Sequence, residues 1–500
     1  MPAAFPGDHA RQVATTPDGG ALLPRLAGCA QTLGPTRLFA YTILFVALLN
    51  GAYLRFHSLG SDDMTADEGA SWAGASAPTL HEVAARERIL DPGKLALYDV
   101  MLHEWMRVFG DRLATLRRMS APFGILAIVL SFTAVREILL CLGDRTDPGF
   151  ADMAGALTAA MVATNLTIVL SDRIVRMYPL VLSAELAQIT FLVRAQRYRK
   201  MRDYAGVALA TAIGVAANFT VAFLLIGEAA WLGALIVLGW IGRNRSGLAA
   251  FVPGLAVLVG LALLAPFMPA ALGAASLGIK RYLDWLHLMP LSWPYDVLRR
   301  VSPTHFLFRV FIALGLFGLA MQFRRSWPAP VFLIVWLAGP FAASMALSYL
   351  LHPVESPRYV IISFVGFFAL AAVGIASIQS NIARVLLLVV IVAISIADVH
   401  KWFKKPHEAA WGHATAFAQA TIPAGASIAV FPPYVINVVR YYLPHGQRRR
   451  VVPAKNRKCA DAPILILSGR DITPPDIIAN QEACFPHVVK EFPYIEVRTR

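Results

Sequence analysis

The sequence predicts a polytopic α-helical membrane protein with a small α/β domain at its C-terminal end, on three observations. The first is composition: of 500 residues, 57% are hydrophobic and only 15% are charged, with a mean hydropathy of +0.58. A soluble domain is nearer half apolar and a quarter charged. The second is that apolar runs of about 20 residues, the length needed to cross roughly 30 Å of hydrocarbon, recur between short polar breaks. The third is a change of pattern after residue 400, where short β-rich runs alternate with helical stretches between prolines and glycines.

Eleven apolar runs read as spans, at 36-54, 119-142, 150-170, 174-194, 204-220, 222-241, 249-269, 305-322, 328-350, 359-378 and 382-398. No polar break separates the fifth from the sixth between Asn218 and Glu228. Residues 1-35 carry no signal-peptide pattern and read as a disordered cytoplasmic leader. Residues 36-399 form the membrane domain with a first large loop at 55-118, and 400-500 form the terminal domain. Arg145, the Arg194 to Arg202 cluster, Arg243 with Arg245, Arg324 with Arg325, and Arg384 follow alternate spans. The positive-inside rule puts them, and the N-terminus, in the cytoplasm. The 55-118 loop, the 171-175 turn, the 269-304 loop, the 351-357 turn and the tail then emerge on the extracytoplasmic face of a plasma membrane, the inner one in a bacterium. Basic cytoplasmic loops facing anionic membrane lipid account for much of the net charge of +14, and no nucleic acid is needed to explain it.

In the tail, strands are expected at Ser427 to Phe431, Val451 to Pro453, Ile464 to Ser468 and Ile495 to Thr499, and helices at Glu408 to Thr421, Pro433 to Tyr442 and Pro475 to Cys484. It carries no glycine-rich phosphate loop and no metal-spaced His/Cys set, so it reads as a lid or packing domain rather than a catalytic one. Cys29 and Cys141 fall on the reducing side, whereas Cys459 and Cys484 share the outer tail, either as one disulfide or as two separate thiols.

The chemistry gathers on the outer face. Asp67 and Glu68 lie in the first turn of a helix expected to start near Thr65, where the helix dipole favours acids whether or not they react. Consecutive helical residues point about 100° apart, so the two carboxylates would hold different tasks, one as a base and one orienting the site or binding a divalent cation such as Mg or Mn. Asp62 and Asp63 precede them as further oxygen donors or plain turn acids. His103 sits on an apolar-faced helix at the membrane interface and is a substrate-binding candidate. The turn carrying Asp172, Arg173, Arg176 and Tyr178 concentrates charge between two apolar spans, which points to a polar cavity. Arg358 and Tyr359 open the tenth span, and Lys280 and Arg281 lie in the preceding loop. Guanidinium forks match phosphate oxygens in pairs, so these bases form a candidate phosphate cradle facing the acids.

In its order of motifs the chain resembles the GT-C glycosyltransferases, and within them the protein O-mannosyltransferase and lipid A aminoarabinose transferase group of glycosyltransferase family 39 and its relatives. The residues that carry the resemblance are the Asp67-Glu68 pair, LYDVMLHEWMRVFG from Leu97 with RRMSAPFGIL from Arg117, SDRIVRMY from Ser171, and SPRYVIISF from Ser356. It extends from about Arg37 to Val399. The resemblance implies a GT-C-type fold and a polyprenyl-phosphate sugar as donor, with a lipid, glycan or protein as acceptor. It makes Asp67 the base, Glu68 an acceptor-side or metal partner, and Arg176 and Arg358 the ligands of the departing lipid phosphate. Relatives often carry Gln-Glu-Ala-Arg before the tyrosine of the third motif, where this chain has Asp172 to Arg176, so the role of Asp172 stays open. Two rivals stand beside this reading. In a transporter or flippase, Glu185 and Glu228, placed inside spans, would line a pathway; in a non-catalytic scaffold the outer segments would only bind partners.

Overall fold

The first helix, α1 (Pro35–Phe56), begins with proline at its first turn and runs apolar to Arg55. The computed structural model of the protein describes residues 34–144, 146–242, 249–273, 288–404, 410–455, 459–470 and 473–500. The leader before residue 34, Cys29, Arg145, Arg243, Arg245, Lys280 and Arg281 lie outside the described residues. After α1 the first loop folds into three helices, α2 (Ala66–Ala75), α3 (Leu80–Leu90) and α4 (Leu97–Phe109), ahead of the long α5 (Leu113–Leu142). The membrane part continues through α6 (Pro148–Thr164), α7 (Leu166–Asp172), α8 (Tyr178–Tyr198), α9 (Met201–Ala217), α10 (Val221–Ile241) and α11 (Phe251–Leu264). It ends with α12 (Trp293–Val301), α13 (His305–Phe323), α14 (Pro328–Leu350), α15 (Ile361–Ser377), which follows a 3₁₀ turn at Pro357–Val360, and α16 (Asn381–Phe403).

Each of the eleven expected spans falls on one of these helices or helix pairs, and the chain is a multi-pass membrane protein. Among the described residues seven helices are long and apolar enough to cross a membrane, and the bent pair α6 and α7 makes an eighth. The expectations at 174-194, 204-220 and 249-269 fall on helices outside that set: α8 has 21 residues of lower apolarity, α9 has 17 and α11 has 14. The fifth and sixth runs do part at Asn218, whose side chain accepts from the Thr220 amide at 2.9 Å where the helix stops. α16 extends to Phe403, four residues beyond the expected end of the membrane domain.

Charge at the two ends of the bundle is tied differently. At one end, Arg37, Arg136 and Arg194 bind Asp152, Glu137 and Asp203, joining α1, α5, α6, α8 and α9. At the other, among the described residues, the first loop, the turn before α8, the turn before α15 and the tail meet. The two ends are joined by helices packed through small residues. A Cβ on Gly318 of α13 would come within 2.6 Å of the Gly374 amide nitrogen of α15, so that crossing depends on the missing side chain.

The tail is a small α/β unit. Helix α17 (Trp411–Thr421) precedes β1 (Ile428–Phe431), α18 (Ile436–Tyr442), β2 (Val451–Pro453), β3 (Ile464–Ser468), α19 (Pro475–Cys484), β4 (His487–Phe492) and β5 (Ile495–Thr499). The sheet order is β2-β1-β3-β5-β4, with β1 parallel to both neighbours and β5 antiparallel to β3 and β4. β4 was not among the expected strands. It is an exposed edge with an irregular register at Val488 to Lys490, so it lacks the buried alternation that marks a strand in sequence. Cys459 and Cys484 are joined as a disulfide, with Cα atoms 5.4 Å apart.

Candidate active site

Helix α2 owes its start to a capping box. Thr65 Oγ1 accepts from the Glu68 amide at 3.2 Å, and Glu68 Oε2 accepts from the Thr65 amide at 2.9 Å. The two neighbouring acids are thereby sent to different places. Glu68 is fully buried and its other bonds go to Arg117 and to the Val175 amide at 3.0 Å. Arg117 Nε and Nη2 each donate to Glu68 at 2.8 Å, while Nη1 donates to the Leu59 and Asp62 carbonyls and Nη2 also to the Asp63 carbonyl. All five donors of this guanidinium are used. The pair therefore moulds the bend between α1 and α2 and fastens it to the turn before α8.

Asp67 points elsewhere. Its carboxylate pairs with Arg358 Nη1, a residue 291 positions away. The side chains keep 44% and 54% exposure, so this ion pair faces open space. Beside it, Arg176 Nη2 binds Asp91 at 2.7 Å, its Nη1 reaches Ser71 Oγ at 3.5 Å, and its buried Nε donates to nothing among the described residues. The Arg176 guanidinium lies 5.7 Å from the Tyr178 ring, and Tyr178 is also close enough to Arg358 to interact with its charge. Tyr359 is close enough to feel the charges of Tyr178, Asp91, Arg176 and Asp67. Asp67, Asp91, Arg176, Tyr178, Arg358 and Tyr359 thus form one cluster of acids, bases and phenols from four separate stretches of chain.

Asp91 belongs to a charged knot that sequence reasoning missed. Lys94 Nζ binds Glu87 at 2.8 Å, Asp91 at 3.1 Å and Asp99 at 2.8 Å. The Asp-Pro-Gly-Lys turn and the acids on either side were the available signal. The turn is hooked onto the membrane part, because the Phe219 amide donates to the Gly93 carbonyl at 2.9 Å and the Leu95 amide to the Ala216 carbonyl at 3.1 Å. Burial alone would raise the Asp91 carboxyl, but Arg176 and Lys94 outweigh it and hold the group down at about 2. The stabilisation Asp91 supplies is then complete above the ordinary carboxylate range and fades as pH falls from near 4 through about 2. Thermal unfolding of the detergent-solubilised protein should lose about 1–2 kcal/mol over that interval relative to an Asp91→Asn variant.

Three of the expected binding residues make contacts that tie helices together. Asp172 is buried in an ion pair with Arg55 at 2.7 Å. The pair fills a helix break: α6 and α7 bend by 67° at Asn165, which leaves the Val162 and Ala163 carbonyls without their helical amides, and Arg55 donates to both. Arg173 donates to the Leu54, His57 and Ser58 carbonyls at the end of α1 and lies 4.5 Å from the Phe403 ring. His103 Nδ1 meets the Ala75 carbonyl at 2.8 Å and ties α4 to α2. The charge density of the 171–178 turn is thus split, half for holding helices and half for the cluster. For a metal, no group of three or more His, Cys, Asp or Glu side chains is assembled among the described residues. Both Glu68 oxygens already accept from Arg117 and from backbone amides.

The tail closes one side of the cluster. Tyr442 hydroxyl donates to Asp63 Oδ1 at 2.9 Å and accepts from the Met64 amide at 2.9 Å, and the Gly412 amide donates to Asp63 Oδ2 at 2.8 Å. Asp63 thus docks the tail onto the first loop. The Trp72 ring stands edge-on to Tyr441 at 5.3 Å with Arg448 4.8 Å from it.

No protein-family model and no curated protein matches the sequence. Solved structures do match the fold. ArnT from Cupriavidus metallidurans bound to undecaprenyl phosphate superposes with a TM-score of 0.56 at 13% identity, covering 92% of this chain and 97% of that one. The same protein in the apo state gives 0.55 at 12% identity with the same coverage. The archaeal oligosaccharyltransferase AglB from Archaeoglobus fulgidus, in complex with an inhibitory peptide and a dolichol-phosphate, gives 0.52 at 10% identity, covering 86% of this chain and 69% of that one. The chain has the GT-C-type fold that its motif order implied.

Proposed function

We propose that this protein is a membrane glycosyltransferase that moves a sugar from a polyprenyl-phosphate donor to an acceptor hydroxyl or amine at the extracytoplasmic face. The observation that carries the reading is the exposed Asp67–Arg358 pair, beside a buried Arg176 with one idle donor. An exposed ion pair is worth roughly 0–1 kcal/mol, so an incoming phosphate readily takes Arg358 and releases Asp67. Asp67 then accepts the acceptor's proton as its oxygen or nitrogen bonds to the anomeric carbon. The bond from that carbon to the phosphate oxygen breaks, its electron pair leaves with the lipid phosphate, and Arg358 and Arg176 stabilise the added charge. A single displacement inverts the anomeric centre. No metal-dependent step is included, although a related fold has been solved with Zn and sulfate. The lipid-bound ligands of the similar structures, undecaprenyl phosphate and dolichol-phosphate, support a donor of this class.

Purified protein in nanodiscs, given radiolabelled undecaprenyl-phosphate mannose, glucose and aminoarabinose in turn, should release label from at least one lipid. Release from none refutes the reading. The transporter reading draws on Glu228, buried in α10 with Gln188 donating to it at 3.1 Å. Solute uptake by sealed vesicles that is lost in Glu228→Gln, without any transferred sugar, would replace the enzyme with a transporter.

A further inference from the structure

We infer that the terminal domain supplies the acceptor seat: Tyr434, presented by the tail beside Asp67, is the ring on which a sugar acceptor rests while its hydroxyl meets the base. This rests on the transferase reading and adds the substrate class. The tail is positioned to do this by contact. The 3₁₀ turn Pro433–Val435 and helix α18 pack on α2, the helix that carries Asp67. The approach is so close that a Cβ on Gly69 would lie 2.9 Å from Val438 Cγ2 and 3.1 Å from the Val438 nitrogen. The Asp63 clasp to Tyr442 and Gly412 fixes the same contact from the other side.

Within this docked surface Tyr434 stands out. It is 56% exposed, and among the described residues its hydroxyl makes no hydrogen bond. A large aromatic side chain is normally buried or given a partner for its polar end. Burial and then the nearby Asp67 charge hold its phenol above the ordinary range, which agrees with the two groups sharing one space. An apolar ring face next to a carboxylate suits a pyranose, whose C–H face can lie on the ring while its hydroxyls turn to the acid.

The test uses the full-length protein in nanodiscs with the undecaprenyl-phosphate sugars above and two acceptors, an alkyl disaccharide and a Ser/Thr-containing peptide. Tyr434→Ala should raise the KM for the disaccharide about five- to tenfold. Tyr434→Phe, which keeps the ring, should restore the wild-type KM. An unchanged disaccharide KM in Tyr434→Ala, equal damage in Tyr434→Phe, or a peptide used in place of the disaccharide overturns the acceptor seat while leaving the transferase intact. Failure of the wild type to turn over every donor instead removes the transferase reading itself.

Discussion

On the function proposed above, Asp67→Asn is expected to lower kcat for sugar transfer about 10²- to 10⁴-fold, the contribution typical of a positioned general base. The substitution keeps the shape of the side chain and removes only its basicity. Asp67 sits on the exposed side of α2 and shares no bond with the capping box or with Arg117, so folding and membrane insertion stay as they are. The variant loses its partner for Arg358, which frees that guanidinium for phosphate, and donor affinity is therefore kept or improved while turnover collapses. Steady-state transfer measured beside lipid-phosphate binding separates the two effects. Transfer at the wild-type rate by a folded Asp67→Asn protein would assign the base to another group.

Arg117→Ala has the largest expected effect on stability. Glu68 is fully buried, and its charge is balanced by this one guanidinium through two 2.8 Å bonds. Removing one member of such a pair costs about 3–5 kcal/mol because the other is left as an uncompensated buried charge. The Leu59, Asp62 and Asp63 carbonyls lose their donor in the same step. Against a typical total of about 5–15 kcal/mol, this is enough to loosen the bend and with it the whole outer site. Thermal unfolding in detergent should show the loss, and an Arg117→Met, Glu68→Gln double variant should recover part of it. A midpoint unchanged in Arg117→Ala would mean that the pair is not what sets this bend.

Much of this was legible in the sequence, for physical reasons that differ by region. Apolar runs must be long to cross a bilayer, so the spans announced themselves. The Thr65 cap and the acids after it follow from local helix chemistry, and they located α2 to within a residue. Sequence could not say which acid would face inward. That depended on Arg117 and the Val175 amide arriving from elsewhere and claiming Glu68. Asp172 and Arg173 were indistinguishable from Arg176 by composition, since a turn dense in charge looks the same whether it binds ligand or braces helices. Their separation needed the helix break at Asn165 and the carbonyls it exposes. Tyr434 carried no local mark at all, because its significance arises only from contact between segments more than 350 residues apart, as the 379-residue separation of the neighbouring Tyr442–Asp63 bond illustrates.

The bend from Leu59 to Asp63 is wrapped around one cation, with three carbonyls and a carboxylate fixed on Arg117. Its entropy is surrendered once, when the chain folds, and no ordering penalty recurs when a ligand binds. A bend held this firmly presents the Asp67 side of α2 to an incoming ligand already in place, and the cost of ordering it does not count against binding.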